Sequence, residues 1–385
     1  MGFYILALLG VAVGLFALET WLDHKKGGHN QDFFESITNF NVGLGFVAGD
    51  ILMKAGAIVA YVFLYENYAF FELEVNVWSV LFSLILFDLL YWLFHYLSHK
   101  VNVMWASHLV HHEPEYYNFS VAFRTPWLNK IAMLPFFFPL PFLGISPEIF
   151  VIATIISTVW QFMQHTTLFS SYGWLDYVLV SPRFHLVHHA RNEGLLDKNF
   201  GGVLSIWDRL FGTYGESDEE IDCGTTSGVK TFDPIWSNFH YWGNIWRQWN
   251  RTSSVREKLG SLFGPPKGEG KERSYPERPH LTRGERVHVI LQAGLGLFCL
   301  VLTTMAFPVM DPLMVGLTFS LVFLSVSITA AWMEKRTWVV LLELVRLQVC
   351  VVLISLSENS MGPLIWFLLA VTVATTATAF ARRFA

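Results

Sequence analysis

The residues best able to do chemistry in this chain are histidines spaced like metal ligands. Nine of the fourteen histidines fall into four groups, and side chains three or four residues apart share one face of a helix. Imidazole is neutral near pH 7 and is the commonest protein ligand for transition metals. Groups that converge from different helices can therefore surround metal ions. The nine are His95 and His99, then His108, His111 and His112, then His165, and finally His185, His188 and His189.

The number of imidazoles predicts two metal ions. A single ion usually takes about four to six ligands, so a pair of ions shares nine imidazoles more naturally. The three cysteines, Cys223, Cys299 and Cys350, are too far apart for a Cys-x-x-Cys zinc site and imply no disulfide framework. Imidazole suits iron, zinc, copper and nickel alike, so the spacing alone leaves the metal open.

Long apolar blocks predict that the protein crosses a membrane. The chain is 53% hydrophobic and only 15% charged, whereas a soluble domain carries about 25% charged residues. Nine blocks are candidate spans; the fourth and fifth are short or broken by proline and are candidates for a re-entrant hairpin. The nine blocks are Phe3–Trp21, Val42–Leu64, Val77–His95, Asn129–Leu143, Ile149–Met163, Val287–Pro308, Leu313–Trp332, Trp338–Leu356 and Met361–Phe380.

The basic residues predict the orientation, because Lys and Arg accumulate on the cytoplasmic side of a membrane. Of the 26 Lys and Arg residues, only three fall within a predicted span, namely Lys54, Lys130 at the start of the fourth span, and Arg346. With the N-terminus outside, every loop on the outer side lacks Lys and Arg. We therefore expect all histidine groups at the cytoplasmic face of an endoplasmic reticulum or bacterial inner membrane. The outer loops are Tyr65–Asn76, Leu140–Ser146, Met310–Pro312 and Ser357–Ser360.

These patterns together predict an all-α integral membrane protein, a multi-span helical bundle with a cytoplasmic, histidine-rich catalytic cap. Four regions follow along the chain. They are an N-terminal transmembrane hairpin (1–76), a histidine-box di-metal domain (77–250), a cytoplasmic linker rich in Pro, Gly and charge (251–285), and a C-terminal four-helix transmembrane region (286–385).

Asp88, in the third predicted span, is a further candidate for the metal site. It lies two helical turns before His95, and a carboxylate can hold the imidazole of a metal ligand in one tautomer. The alternative is a polar group that serves helix packing. The sequence leaves both interpretations open.

The box pattern H-x-x-x-H, H-x-x-H-H and a second H-x-x-H-H resembles the fatty acid hydroxylase / sterol desaturase superfamily of integral-membrane di-iron enzymes. The resemblance extends beyond the boxes and covers roughly residues 30–250. The C-terminal spans are similar in hydropathy only. Four runs resemble the alkylglycerol monooxygenase branch in particular: HYLSHKVNVMWASHLVHHEPEYYNFSVAFR (95–124), WQFMQHT (160–166), SPRFHLVHHARNEGLLDKNFGGVLSIWDRLFGTY (181–214) and KTFDPIWSNFHYW (230–242).

The resemblance implies that all nine histidines of the four groups bind iron, with no catalytic residue beyond these ligands. Some members of the superfamily have a histidine four residues before the position of His165, where this chain has Gln161. Gln161 would then bind the metal through its amide oxygen or a water, or not at all. Asn199, in an Asp-x-Asn-aromatic-Gly run, matches a candidate position behind the ligands, and an ordinary turn residue is the alternative.

The activity that the resemblance implies is hydroxylation of a lipid C–H bond by two Fe²⁺ ions and O₂, with cleavage of alkylglycerol ethers as one form. The sequence contains neither a Gly-x-Gly-x-x-Gly fingerprint nor a His-Pro-Gly-Gly run for a fused haem donor. The partners implied are therefore a membrane lipid and a separate electron donor or diffusible reductant, and no nucleic acid.

Lys100 is a departure that counts against tetrahydropterin as the reductant. The pterin-dependent branch is expected to have a glutamate at this position, directly after His99. A carboxylate accepts hydrogen bonds from the amino and ring N–H groups of a pterin, whereas an ammonium accepts none. Glu113 and Glu115 are the nearby carboxylates that would have to substitute for it.

Three other functions remain open from the residues. A desaturase or a sterol-type methyl oxidase would use the same boxes and differ only in its product. A metal transporter would relay an ion through the histidines, but transport sites tend to lie near the bilayer midplane, whereas these boxes crowd one face. A purely structural metalloprotein would consume no oxygen with any lipid.

Overall fold

The computed structural model is helical throughout the residues that it describes, apart from loops and two isolated β-bridges. The predicted all-α class is therefore confirmed. The described residues are 2–229, 231–266, 277–306, 310–356 and 362–384. Their α-helices are α1 (Gly2–Lys25), α2 (Phe33–Tyr68), α3 (Val77–Lys100), α4 (Asn102–Ala106), α5 (Ser120–Phe123), α6 (Asn129–Phe137), α7 (Pro139–Phe142), α8 (Pro147–Gln164), α9 (Pro182–His188), α10 (Ile206–Phe211), α11 (Pro234–Asn250), α12 (Val255–Phe263), α13 (Arg283–Ala306), α14 (Pro312–Met333), α15 (Val339–Leu356) and α16 (Gly362–Phe384).

Among the described residues, four helices are long and apolar enough to cross a bilayer, namely α3, α13, α14 and α15. The helix α2 adds a fifth if its halves, which are bent by 41°, count as one span. Membrane insertion is thus supported, but the prediction of nine spans is only partly confirmed. Some of the predicted segments lie outside the described residues. They are part of the predicted linker (267–276), the loop Ser357–Ser360 and the ends of two predicted spans.

The fourth predicted span is not one helix but two, the nine-residue α6 and the four-residue α7. Pro139 is the first residue of α7, and a proline has no N–H with which to continue the preceding helix. The fifth, α8, includes Glu148 and Gln161, which lower its hydropathy below that of the four clear spans. Neither segment is therefore counted among the spanning helices.

The helices that carry the metal-site histidines pack through an aromatic and aliphatic core. Phe87 of α3 stacks on Phe137 of α6, with ring centroids 4.4 Å apart, and both are buried with Ile149 and Ala153 of α8. A capping box between Asn76 and Ser79 starts α3, because both backbone amides are then satisfied. This core holds α3 and α8 side by side.

A second core joins the two ends of the chain. Leu44 and Ala48 of α2 are buried against α13, α14 and α15. Inside the C-terminal helices, Glu343 and Arg346 form a fully buried ion pair. Gln292 of α13 donates to the Glu343 carboxylate and accepts from the Arg346 guanidinium. Pairing of this kind is what charges inside a membrane require.

The predicted linker 251–285 is partly helical. The helix α12 lies within it, and Asn102 of α4 holds the C-terminal end of α12 through two hydrogen bonds. The Asn102 backbone N–H donates to the Gly264 carbonyl over 2.9 Å, and its side-chain amide donates to the Ser261 carbonyl over 2.8 Å. The first part of this segment is therefore docked on the rest of the protein.

Candidate metal centre

Four structural elements, two long helices and two short segments, place the nine histidines. His95 and His99 lie one turn apart at the C-terminal end of α3. The second box forms a 3₁₀ turn, Leu109–His112, and His165 directly follows the last turn of α8. The third box ends α9, a helix that begins at a Ser-Pro pair whose serine hydroxyl accepts the Phe184 N–H.

The structure brings all nine histidines together in two neighbouring groups. Within each group, every histidine offers a ring nitrogen that lies within 4.8 Å of the others. Each His-x-x-His-His box is divided between the groups, since its first and last histidines join one group and its middle histidine joins the other. The five-histidine group contains His95, His99, His108, His112 and His188, and the four-histidine group contains His111, His165, His185 and His189.

Ring nitrogens face one another directly in both groups. The Nε2 atom of His108 lies 3.0 Å from Nε2 of His95 and 3.1 Å from Nε2 of His112. The Nε2 atom of His165 lies 3.1 Å from Nε2 of His185. A neutral imidazole carries only one N–H, so several nitrogens that meet in this way present lone pairs to a common point. A shared cation is the partner that such lone pairs fit.

The opposite ring nitrogens are held by backbone carbonyls in both groups. An Nδ1–H that donates to a carbonyl leaves Nε2 unprotonated and fixes the orientation of the ring, which is the usual arrangement behind a metal-bound histidine. The nitrogen–oxygen distances are 2.9 Å from His95 to Phe200, 2.7 Å from His188 to Lys198, 3.3 Å from His111 to Arg124, and 2.8 Å from His165 to Gln161.

Burial keeps the imidazoles neutral. It lowers the pKa of His111 to about 4, and it lowers the pKa of His185 and His189 well below the ordinary value. Two inward nitrogens, Nε2 of His99 and Nε2 of His188, are buried and have no hydrogen-bond partner among the described residues. Buried polar atoms normally have a partner. Neutral, oriented and unpartnered nitrogens are the donor set that two transition-metal ions fit.

Asp88 does not hydrogen-bond an imidazole, contrary to one of the two interpretations of the sequence. Its carboxylate accepts from the backbone N–H groups of Val203 and Leu204, over 2.7 and 2.9 Å, and from the indole of Trp207 over 3.1 Å. It therefore fixes the loop that follows Phe200. Asp88 acts on the site only through that loop.

The two other candidates behind the ligands are placed as follows. Asn199 has φ +60° and its side chain ties the carbonyls of Phe184 and Gly215 together, which is a turn role. The Gln161 amide nitrogen donates to Ser157 Oγ over 2.8 Å. The contribution of Gln161 to His165 comes from its backbone carbonyl.

Asp197 is a residue of the site that the sequence interpretation missed. Its carboxylate lies 3.3 Å from Nδ1 of His99 and 2.6 Å from Nζ of Lys100. Burial raises the pKa of Asp197, but the contacts with His99 and Lys100 outweigh it and lower the pKa to about 2. Lys100, noted above only for lacking an acceptor, therefore neutralises a carboxylate that orients a histidine of the five-histidine group. The αL backbone of Asp197, φ +58°, could not be read from the sequence.

The two carboxylates considered as substitutes at a pterin site are both engaged in ion pairs. Glu113 pairs with Arg124, and both side chains are almost fully buried. Glu115 pairs with Arg191 over 3.2 Å and with Arg278 over 3.7 Å. These contacts stabilise the second box and its surroundings.

Comparison with known proteins supports the resemblance inferred from the boxes. Residues 80–213 match the family model described as fatty acid hydroxylase. The chain is 33% identical over 284 residues to alkylglycerol monooxygenase of Danio rerio, covering 72% of this chain and 63% of the relative. It is 33% identical over 266 residues to alkylglycerol monooxygenase of Homo sapiens, covering 68% and 59%.

A more distant relative carries a different lipid in its name. The chain is 24% identical over 217 residues to ornithine lipid hydroxylase OlsE of Rhizobium tropici, covering 55% of this chain and 65% of that protein. The chain thus spans less than two thirds of the length of each of these relatives. No solved structure matches the chain. The resemblance to this family that the histidine motifs indicated is confirmed.

Proposed function

We propose that this chain belongs to the fatty acid hydroxylase family and is an integral-membrane di-iron monooxygenase that hydroxylates a C–H bond of a lipid. The observation that carries the proposal is the division of nine imidazoles, eight buried and that of His111 partly buried, into two adjacent all-nitrogen groups. Relatives named for lipid hydroxylation or monooxygenation support the reaction class. The proposal assigns catalysis to residues 77–250 and places the site at the cytoplasmic face.

The protein would hold one iron ion in each histidine group. Two ferrous ions bound there would activate O₂ for insertion of one oxygen atom into a lipid C–H bond. The carbonyls of Phe200, Lys198, Arg124 and Gln161 keep the ligand rings in the tautomer that presents Nε2 inward. These four rings are thereby positioned before a metal binds, which reduces reorganisation during the reaction.

Packing around the ligands excludes bulk water. The ring of Tyr117 is buried against His189 and His165, with centroids 5.3 and 5.8 Å apart, and its hydroxyl donates to the Gln164 carbonyl over 3.0 Å. Phe200 is fully buried on the opposite group, 5.2 Å from the ring of His99. A dry site limits side reactions of a strong oxidant with solvent.

The substrate class that we propose is the ether glycerolipids. Hydroxylation of the carbon beside the ether oxygen gives a hemiacetal, which collapses to a fatty aldehyde and a free glycerol hydroxyl. The named alkylglycerol monooxygenases support this choice. A separate protein or a diffusible reductant would supply the electrons. The residue directly after His99 is Lys100, whose ammonium is paired with Asp197. This position therefore offers a pterin no carboxylate acceptor.

The proposal is tested with the full-length protein in lipid vesicles under isotope-labelled O₂ and a chemical reductant. An ether glycerolipid and its ester analogue are compared, and the aldehyde is reduced at once to the alcohol before its oxygen exchanges with water. We expect label in the alcohol from the ether lipid and little turnover of the ester. Label in sterols or free acids, with inert ether lipids, would overturn the substrate class. Oxygen consumption that no lipid stimulates, in iron-loaded protein, would overturn the monooxygenase itself.

A further inference from the structure

The helix α11 is amphipathic, but its apolar face points away from the protein. Half of its six buried residues are polar, and these three, Ser237, Asn238 and Asn244, are nearly inaccessible to solvent. Its exposed side chains are large and apolar, with Trp246 exposed by 66% and Trp236 by 58%. A helix that packs on a water-soluble surface has the opposite arrangement. The sequence therefore places the apolar face of α11 against something that is not water.

The polar face of α11 is fully used inside the protein. The Tyr241 hydroxyl donates to the Asn102 side chain over 2.7 Å, and the Asn238 side-chain oxygen Oδ1 accepts from the backbone N–H of Trp127 over 2.9 Å. Ser237 accepts from Arg124, the residue behind His111. These hydrogen bonds fix which face is turned inward, so the outward position of the apolar side chains is a property of the fold.

The next helix continues the same surface. Along α12, Val255, Leu259 and Phe263 are spaced four residues apart on one face, and their exposed fractions are 72%, 48% and 63%. The end of α12 is held by the hydrogen bonds of Asn102 described above. The two helices are therefore fixed to the same part of the cap, directly after α3.

The exposed face adjoins a membrane-spanning helix. The ring centroid of Trp127 lies 6.0 Å from that of Phe239 of α11 and 5.2 Å from that of Phe323 of the spanning helix α14. The apolar face of α11 thus lies beside a spanning helix. Large exposed apolar patches on soluble faces mark interaction sites, and proximity to a spanning helix identifies the partner.

The charge of the segment also fits a lipid surface. Residues 243–263 contain four basic side chains and one acidic one, Glu257. Basic residues beside an apolar and tryptophan-rich face are typical of helices that lie in the headgroup region of anionic membranes. The four are Arg247, Arg251, Arg256 and Lys258.

We propose that α11 and α12 form an interfacial helix pair that lies in the plane of the bilayer on the side of the metal centre. The apolar side chains enter the boundary between headgroups and acyl chains, and the basic residues contact anionic headgroups. The pair anchors the histidine-bearing cap on the leaflet through Asn102 and Arg124. The alternative occupant of this face, a protein electron donor, is an outcome of the test.

The test measures the environment of a spin label at position 246 in the full-length protein reconstituted in vesicles with anionic lipid. The native cysteines, Cys223, Cys299 and Cys350, are all buried, so Trp246→Cys provides the reactive site. Leu341→Cys, exposed by 63% on the spanning helix α15, is the lipid-facing control, and Asp218→Cys in an exposed cap loop is the water-facing control. Leu259→Cys on α12 repeats the measurement if the Trp246 variant does not fold, and bound metal reports folding.

We expect labels at 246 and 259 to be reached by O₂ and shielded from a water-soluble nickel reagent, as at 341. A double variant, Arg251→Gln with Arg256→Gln, should weaken this shielding in anionic vesicles about two- to tenfold more than in zwitterionic ones. If the nickel reagent reached both labels as readily as it reaches the label at 218, the proposal would be overturned. Shielding that arises only when a soluble protein donor is added would also overturn it and assign the face to that donor.

Discussion

The five-histidine and four-histidine groups are built from the same two boxes, yet they differ in what the preceding helix contributes. The helix α3 gives the five-histidine group two imidazoles, His95 and His99, one turn apart. The helix α8 gives the four-histidine group only His165, and one turn earlier it carries Gln161. The side chain of Gln161 is hydrogen-bonded to Ser157 of the same helix. The two groups therefore differ by one protein ligand.

The groups also differ on their outer side. His99 of the five-histidine group faces the Asp197 carboxylate, whereas His111 and His165 of the four-histidine group are held by backbone carbonyls. A carboxylate makes the imidazole a stronger donor than a carbonyl does. The five-histidine group is thus the better-supported centre. The four-histidine group offers fewer protein ligands. A metal with fewer protein ligands keeps a coordination position open for a small molecule.

The largest expected difference comes from removing the middle histidine of each box. His111→Ala leaves three imidazoles in its group, whereas His188→Ala leaves four. We expect His111→Ala to fall from about two bound ions to about one under mild chelation, and His188→Ala to retain more metal. Metal analysis after dialysis measures this, with the exposed His280→Ala as control. Equal losses in both variants would contradict the difference between the groups.

Removing the carboxylate should affect one group only. Asp197→Asn keeps a residue that tolerates the αL backbone but removes the charge beside His99. We expect the affinity of the five-histidine group for its metal to fall about 10- to 100-fold, while the four-histidine group is unchanged. Chelator titration with spectroscopic separation of the two ions measures this, and Asp218→Asn in an exposed loop is the control. A similar weakening of both groups would show a general effect on the fold.

Adding the missing imidazole should make the groups alike. Gln161→His places a histidine one turn before His165, as His95 stands before His99. We expect metal retention by the four-histidine group to rise about two- to tenfold, and turnover to fall because a position for a small molecule is filled. Gln161→Leu is the matched control, since it removes the amide without adding a ligand. Indistinguishable metal affinities of the two variants would contradict the arrangement.

The sequence was sufficient for the class of fold and for a set of candidate ligands. Spacing singled out eight of the nine histidines, because the periodicity of a helix decides which side chains share a face, and position at the end of a predicted span singled out His165. Apolar blocks predicted a helical membrane protein for the same local reason. The number of spans was less predictable. Hydropathy could not show that the segment containing Pro139 is divided into the short helices α6 and α7.

The contacts behind the ligands could not be predicted. Asp88 shares a helix with His95, so helical spacing favoured a contact between them, but the carboxylate meets the loop at Val203 instead. Asp197 contacts His99 and Lys100, although Lys100 and Asp197 are 97 residues apart in sequence. Contacts at such separations depend on how helices pack, and no local pattern encodes them.

The amino-acid sequence by itself determined which imidazoles, in boxes of fixed spacing, are the candidate metal donors of this protein, and that it is a helical membrane protein. Only the tertiary structure decided how the boxes are divided between two centres and which carbonyl or carboxylate orients each ring. The physical reason is the range of the interactions. Helical periodicity and hydropathy act over a few residues, whereas a metal centre is formed where distant helices meet.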